Sequence, residues 1–434
     1  MKAYPDYKEA GIKWINDIPK HWDVKPLFVV MSENKESNKG NIEQNVLSLS
    51  YGNIIRRDVS KNFGLLPESF ETYQIIHPDY IVLRLTDLQN DWNSLRVGLV
   101  KEKGIITSAY VGLKSSTLFN PTYAYYLLNA YDLLKVFYGE GAGVRQSMTF
   151  KDLRRIPIIF PSLPEQQAIA DFLDRKTAQI DTLIEKKQRQ IDLLQEQRTA
   201  LINHTVTKGL NPDVRMKDSG VEWLGEIPSH WEVKRIKYLG KITGGFSFKS
   251  EEFEAFDTGC RVLKISNIQT MRIDWSEESY IDESYYHKLP DFRLYQGDLV
   301  FALTRPVIST GIKVAIIQSD EKILLNQRNA VFRALDKLIV SWMYFVLFNS
   351  RFVEYFKSLI DATGQQPNIS SIDIGNIPIP TPPDNEKNVI IKYLEQRTSE
   401  IDQTIARTKK QIELFQEYRT ALISEAVTGK IDIR

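Results

Sequence analysis

The sequence predicts an α+β fold. Two mixed α/β domains are separated by two long antiparallel helices forming an intramolecular coiled coil, and the whole is a pseudo-two-fold internal repeat. Three observations predict it. Gln190-Ile-Asp-Leu-Leu-Gln-Glu-Gln-Arg-Thr-Ala-Leu-Ile202 returns as Gln411-Ile-Glu-Leu-Phe-Gln-Glu-Tyr-Arg-Thr-Ala-Leu-Ile423. Trp14-Ile-Asn-Asp-Ile-Pro-Lys-His-Trp-Asp-Val-Lys25 returns as Trp223-Leu-Gly-Glu-Ile-Pro-Ser-His-Trp-Glu-Val-Lys234. The stretches between these echoes do not return, yet both carry strand and helix patterns. A chain that duplicates its frame and varies its middle does one job twice, on two different targets.

The echoes also set boundaries. Trp22 and Trp231 stand 209 residues apart, whereas Ile191 and Ile412 stand 221 apart, so the second middle is 12 residues longer. Insertions of this kind belong to surface loops that carry recognition. The expected organisation is an opening segment and first domain at 1–158, a first helical spacer at 159–209, a second domain at 210–379 and a second helical spacer at 380–434.

Each spacer reads as one helix. From Glu165 to Val206 there is neither Pro nor Gly, and apolar residues alternate spacings of four and three: Ile180, Ile184, Ile191, Leu194 and Leu201, with Lys187 and Arg198 in the remaining slots. The second copy runs Ile401, Ile405, Thr408, Ile412, Phe415, Arg419 and Leu422 in the same frame. This is a heptad seam. Pro164 and Pro383 punctuate the starts, Gly209 and Gly429 the ends. Roughly 40 residues make a rod of about 60 Å. Such helices pair with a partner protein or with each other; the same seam twice in one chain favours the internal pair. Polar seam positions cost stability and fix register.

The middles read as mixed domains of one fold with divergent loops. In the first, 45–50, 80–85 and 104–113 read as strands and 121–138 as a helix. In the second, 261–266, 298–303, 312–317 and 329–333 read as strands and about 337–360 as a helix. Each middle closes on a glycine bend and a Pro-rich run, 156–161 or 377–382.

The 434 residues suit two domains plus connectors, and 42% hydrophobic residues exclude a disordered chain. Charged residues are 26% and nearly balanced at net +1, which excludes a bulk polycation but not local phosphate-binding patches. The single cysteine, Cys260, cannot form an internal disulfide and fits a reducing cytosol. No apolar run of about 18 residues and no basic-then-apolar leader stands out, so the expectation is no membrane span, no signal peptide and a cytoplasmic location.

Catalytic constellations are scarce. None of His21, His77, His204, His230 and His287 has metal-ligand spacing, one cysteine excludes a thiolate zinc site, and no phosphate-loop motif is present. His21 and His230, at equivalent places beside Trp22 and Trp231, read as rings packed at the domain entrance. Gly139-Glu-Gly-Ala-Gly143 resembles a cofactor loop and Asn120-Pro-Thr-Tyr123 an amino-methyltransferase signature. Nucleotide-site glycines follow a strand and open a helix. These follow a helical pattern, so they read as a helix stop.

Nucleic-acid signals are better. In the first middle Arg56, Arg57, Lys61, Arg84, Arg96, Lys101, Lys103 and Lys114 interleave with Tyr51, Trp92 and Tyr110. In the second, Lys249, Arg261, Lys264, Arg272, Arg305, Lys313, Arg328 and Arg333 interleave with Phe246, Phe248, Trp275 and Tyr280. Arg reads guanine edges and Asn or Gln reads adenine, while Lys and Ser/Thr hold phosphates. Two like readers on a fixed spacer suit two half-sites of one duplex.

These residues resemble the DNA-specificity subunit of type I restriction–modification systems, over essentially the whole chain. The carriers are Gly-x-x-Trp-(x)3-Ile-Pro-x-His-Trp at 11–22 and 220–231, Leu163-Pro-Glu-Gln-Gln167, the Ile-Asp-x-x-Ile starts at Ile180 and Ile401, and Arg-Thr-Ala-Leu-Ile from Arg198 and Arg419. Gly297-Asp-Leu-Val-Phe-Ala-Leu-Thr304 and Asn326-Gln-Arg-Asn329 add to it. The resemblance implies two target-recognition domains, each reading half of a split double-stranded DNA target. It implies helices that set the spacing and dock two methyltransferase subunits, with motor-nuclease subunits joining that core. S-adenosylmethionine, ATP and Mg are expected on those partners, none on this chain, which is non-catalytic. There are departures: the second spacer starts Pro382-Pro-Asp-Asn-Glu-Lys387, implying less symmetric docking, and Gly364-Gln-Gln-Pro-Asn-Ile369 is matched only by Gly143-Val-Arg-Gln-Ser-Met148.

Adjacency to the expected strands nominates Arg84, Arg96, Lys101 and Tyr110 as DNA contacts in the first domain, and Arg305, Lys313, Asn326 and Arg328 in the second. Two rivals remain: a coiled-coil scaffold without DNA readout, and a small-molecule methyltransferase using Gly139–Gly143.

Overall fold

A computed structural model describes residues 2–58, 69–92, 95–138, 147–254, 259–362 and 364–434. The chain forms two compact units, Met1–Gln188 with Lys409–Arg434, and Arg189–Thr408. Each therefore takes about half of both long helices, Leu163–Lys208 and Asp384–Val427.

The first unit is built on a four-stranded antiparallel sheet in the order 31–33, 111–115, 81–83, 97–99. The helix Pro121–Leu133 covers it; Asn120 caps that helix, its side chain accepting from the Tyr123 amide at 2.9 Å and donating to Gln167 at 2.7 Å. The Asn-Pro-Thr-Tyr motif is thus a helix start with Tyr123 wholly buried in the core. A smaller pair joins 74–76 to 104–106, with Val46 bridging Ile105 in parallel. The expected strand 104–113 is broken, because a turn at 107–110 separates Gly104–Ile106 from Val111–Ser115 and sends them to different sheets.

The second unit repeats the plan. Its antiparallel sheet runs 240–244, 329–334, 299–302, 314–316, the same order strand for strand. Its smaller sheet has grown to five strands around the parallel pair 260–263 and 323–325. The expected helix over 337–360 is two, Lys337–Leu347 and Ser350–Ser358, because Asn349 caps the second through its side chain. The equivalent pairs Val46/Val262, Leu83/Phe301, Val111/Ala330 and Met148/Ile369 stand 216, 218, 219 and 221 residues apart, so the 12 extra residues enter in several places, chiefly before the smaller sheet.

Within each unit the two helix halves are antiparallel and shield the seam. Between 181 and 200, only Ile184, Lys187, Ile191, Leu194 and Arg198 are withdrawn from solvent. Ile180, Ile191, Ile401, Ile405 and Leu422 are buried, and Leu201, Ile412 and Phe415 half-buried. Asp181 pairs with Arg419 at 2.9 Å in the first unit, and Arg198 with Asp402 at 3.0 Å in the second. The Ile-Asp-x-x-Ile and Arg-Thr-Ala-Leu-Ile motifs are therefore the two sides of one contact, made once per unit.

Each helix ends on a left-handed glycine pressed against a fully buried tryptophan. Gly209 has φ +75° and Gly429 φ +73°; an added Cβ would lie 3.2 Å from Trp231 in one case, 2.3 Å from Pro19 and 3.0 Å from Trp22 in the other. Only glycine adopts this conformation without strain at so close an approach. No described helix is long and apolar enough to cross a membrane.

Candidate nucleic-acid interface

The strand 81–83 leads into Leu85-Thr86-Asp87 and the strand 299–302 into Leu303-Thr304-Arg305. Both third positions are left-handed, Asp87 at φ +58° and Arg305 at φ +48°. A side-chain residue there costs roughly 1–2 kcal/mol, so neighbours must hold it. The Met148 amide donates to the Leu85 carbonyl at 2.9 Å, and the Ile369 amide to the Leu303 carbonyl at 2.9 Å. Met148 and Ile369 thus share a role at that end, with both side chains buried. In the second unit the Arg305 amide also donates to the Pro367 carbonyl at 2.8 Å.

Beside each bend lies a second turn, 107–110 or 326–329, closed by Tyr110 N to Thr107 O at 3.2 Å and Asn329 N to Asn326 O at 3.0 Å. The Leu303 amide donates to the Arg328 carbonyl at 2.8 Å, tying turn to bend. Gln74 donates to the Tyr110 carbonyl at 2.7 Å in the first unit. The backbones match; the side chains do not. Ser108 and Ala109 are exposed where the second unit exposes Gln327 and Arg328. Among the described residues, Arg261, Arg272, Lys322 and Arg333 of the second unit's sheets are held in ion pairs, and neither Arg305 nor Arg328 is. Both remain exposed cations at one end of a rigid sheet, an arrangement suited to phosphate or guanine.

The nominated residues divide accordingly. Arg305, Asn326 and Arg328 meet at this end; Asn326 is half-buried and its side-chain oxygen accepts from the Gln327 amide at 2.7 Å. Tyr110 lies in the matching turn, half-buried against a small cluster of Leu47, Ile76 and Val82. Arg84 is a third exposed and 3.9 Å from Asp91. Lys101 is exposed but lines a different cleft, with Tyr125, Asp181 and Arg419. Arg96 and Lys313 differ from expectation: both are buried, at 0% and 8% exposure, and spend their donors on main-chain carbonyls. Burial, then the nearby Arg305 charge, holds the Lys313 ammonium below the usual lysine range. Lys61 and Gly139–Gly143 lie outside the described residues. Asp87, Ser108 and Gln327 lie at the same end although the sequence did not single them out; the recurring Leu-Thr at Leu85-Thr86 and Leu303-Thr304 was the available signal.

The opposite end holds the frame. His21 Nε2 is 2.8 Å from a Glu165 oxygen, which also accepts from the indole of Trp22 at 3.3 Å. His230 is 2.7 Å from Glu386, which accepts from Trp231 at 3.1 Å. The second spacer start keeps its carboxylate although the residues around it change, Gln166 to Lys387 among them, both buried. Burial alone would raise the Glu165 carboxyl, but hydrogen bonds from His21, Ser162 and Trp22 hold it below the usual range. Among the described residues no group of three or more His, Cys, Asp or Glu could hold a metal.

A twice-built α/β unit, with a constant helical frame and variable turns at the sheet end, defines a duplicated recognition scaffold. The family model described as the type I restriction modification DNA specificity domain matches residues 99–193 and 228–414, and the chain belongs to that family. It is 29% identical over 360 residues, 82% of this chain and 81% of the relative, to the specificity subunit of the type I restriction enzyme MjaVIII of Methanocaldococcus jannaschii. It is 30% identical over 194 residues, 44% of this chain and 32% of the relative, to the EcoAI specificity subunit of Escherichia coli. In fold it is similar to a chain of a type I R-M system (TM-score 0.70, 13% identity, 95% of this chain and 99% of that one). The HsdS subunit from Thermoanaerobacter tengcongensis is also similar (TM-score 0.54, 14% identity, 95% and 98%).

Proposed function

We propose that this chain reads a bipartite, asymmetric double-stranded DNA target, one half-site per unit, and positions adenine methyltransferase and motor-nuclease subunits on it. The observation that carries this reading is the matched pair of turns. Two turns at equivalent places in the sheet register present Asp87, Ser108 and Ala109 in one unit and Arg305, Gln327 and Arg328 in the other. Acidic and small polar groups suit cytosine amino groups and close approach, whereas Arg and Gln suit guanine and adenine.

The chain does no chemistry itself on this reading; S-adenosylmethionine, ATP and Mg belong to the partner subunits, and the complex works in the cytoplasm. Docking of two like partners is supported by exposed leucines at equivalent helix positions, Leu193 and Leu414, each about half exposed on a mostly charged surface.

The test is to co-express the chain with its methyltransferase subunit, map the modified adenines across a genome, and repeat after replacing residues 23–158 by the matching segment of another family member. The mapped motif should change in one half and keep the other. An unchanged motif sinks the assignment. A scaffold without readout predicts no footprint on DNA even with the partner present.

A further inference from the structure

The register of the two larger sheets makes Arg96 and Lys313 the same residue of the fold. Leu83 faces Val97 and Phe301 faces Val314, so each cation immediately precedes the last strand in the sheet order, 97–99 or 314–316. The backbones agree, with Arg84 N donating to Arg96 O at 2.9 Å and Ala302 N to Lys313 O at 3.0 Å. Yet both side chains are buried behind the bends rather than exposed on them.

We propose that Arg96 and Lys313 are equivalent positioning residues that hold the two reading bends in shape from behind and thereby set half-site selectivity without touching DNA. This rests on the reading of those bends as DNA-contacting.

The geometry of Arg96 is that of a clamp. Its Nη1 donates to the carbonyls of Arg84 at 3.1 Å and Thr86 at 2.8 Å, and its Nη2 to those of Asp87 at 3.3 Å and Asp91 at 2.5 Å. Its Nε donates to the Tyr138 hydroxyl at 2.8 Å, and the guanidinium lies over that ring. The Nη donors of the planar fork all face the segment 84–91, around the left-handed Asp87, while Nε is anchored on Tyr138. Buried carbonyls left unmet are costly, so the guanidinium dictates where that backbone can sit.

Lys313 works differently: its amide donates to the Pro306 carbonyl just after the bend at 2.7 Å, while its side chain reaches a second loop. Its ammonium donates to the Ile265 carbonyl, linking the bend to the segment before Thr270 and left-handed Met271. The Met271 amide donates to the Val314 carbonyl at 2.7 Å, and Thr270 bonds Thr310 side chain to side chain at 2.8 Å. A compact point charge with one strong carbonyl contact holds two loops together where the fork holds one loop throughout.

The test uses the complex with the methyltransferase subunit and duplexes built on its mapped motif, either intact or with one base pair changed in one half. Binding is measured across a salt series for Arg96→Lys, Lys313→Met and Lys313→Arg, with Arg305→Ala and Arg328→Ala as surface controls. Arg96→Lys should lower discrimination in the first half about tenfold and leave the second intact; Lys313→Met should do the reverse, and Lys313→Arg should recover part of it. The slope of log affinity against log salt should stay at its parental value, because a buried cation releases no counterion. A slope reduced by about one identifies a direct phosphate contact and overturns the proposal. Equal loss on intact and altered duplexes marks a merely structural residue and overturns it too. If the surface controls also leave discrimination untouched, the reading of the bends itself fails.

Discussion

In the first unit Asp87 occupies the left-handed position that Arg305 takes in the second, and Ser108 and Ala109 stand where Gln327 and Arg328 stand. Around those positions several supporting bonds are kept. The Leu85 and Leu303 carbonyls accept equivalent amides, the closing turns match, and each His–Trp pair grips a helix-start glutamate. The difference teaches where each kind of constraint acts. The frame must carry the same load twice, so its contacts are duplicated; the exposed tips of the turns, 108–109 and 327–328, carry little packing load and are free to diverge in charge.

The comparison breaks first if the two frames are not equally stressed. Trp22→Ala and Trp231→Ala should each destabilise by about 3–5 kcal/mol, as deletions of wholly buried indoles, and thermal unfolding should show losses alike within about 1 kcal/mol. A large loss in one unit alone breaks the equivalence. Next come the turns: Arg328→Ala should weaken binding to the mapped motif by about 1–3 kcal/mol and relax the second half only, read by competition with altered duplexes.

The helix-start carboxylate gives a third, pH-dependent handle. Because Glu165 is held below the ordinary carboxylate range when folded, its contribution is present above that range and lost as pH falls through its folded value. Glu165→Gln should cost about 1–3 kcal/mol at neutral pH and flatten the acid limb of the stability profile, measured by denaturant unfolding from neutral to acid pH. An acid limb unchanged in the variant excludes Glu165 as its source. The smallest effect is expected at the helix crossings. Arg419→Ala and Arg198→Ala should each cost about 0–1 kcal/mol, since Asp181 and Asp402 are both half-exposed. A much larger loss from either would mean that the pair holds the register rather than decorating it.

Much of the frame was legible because its signals are local. The seam from Ile180 to Leu201 and from Ile401 to Leu422 is periodicity on single helices, and the repeated His-Trp and Arg-Thr-Ala-Leu-Ile motifs are contiguous runs. The site was less legible because exposure is not local. Arg96, Lys313, Arg305 and Arg328 all read as basic residues beside strands, yet two are buried and two are free to meet a ligand. Likewise Gly104-to-Leu113 looked like one strand until the turn at 107–110 divided it between sheets.

By itself the sequence determined that a framed unit occurs twice, that its long helices carry one seam, and which family the motifs resemble. Those properties depend on residue order within a few helical turns. Only the tertiary structure decided that Glu386 answers Glu165 across an altered neighbourhood, that Asp181 meets Arg419 and Asp402 meets Arg198, and that Arg96 faces inward. Each of those outcomes depends on carbonyls, rings and carboxylates brought close from distant parts of the chain, where burial makes an unmet polar group too costly to leave.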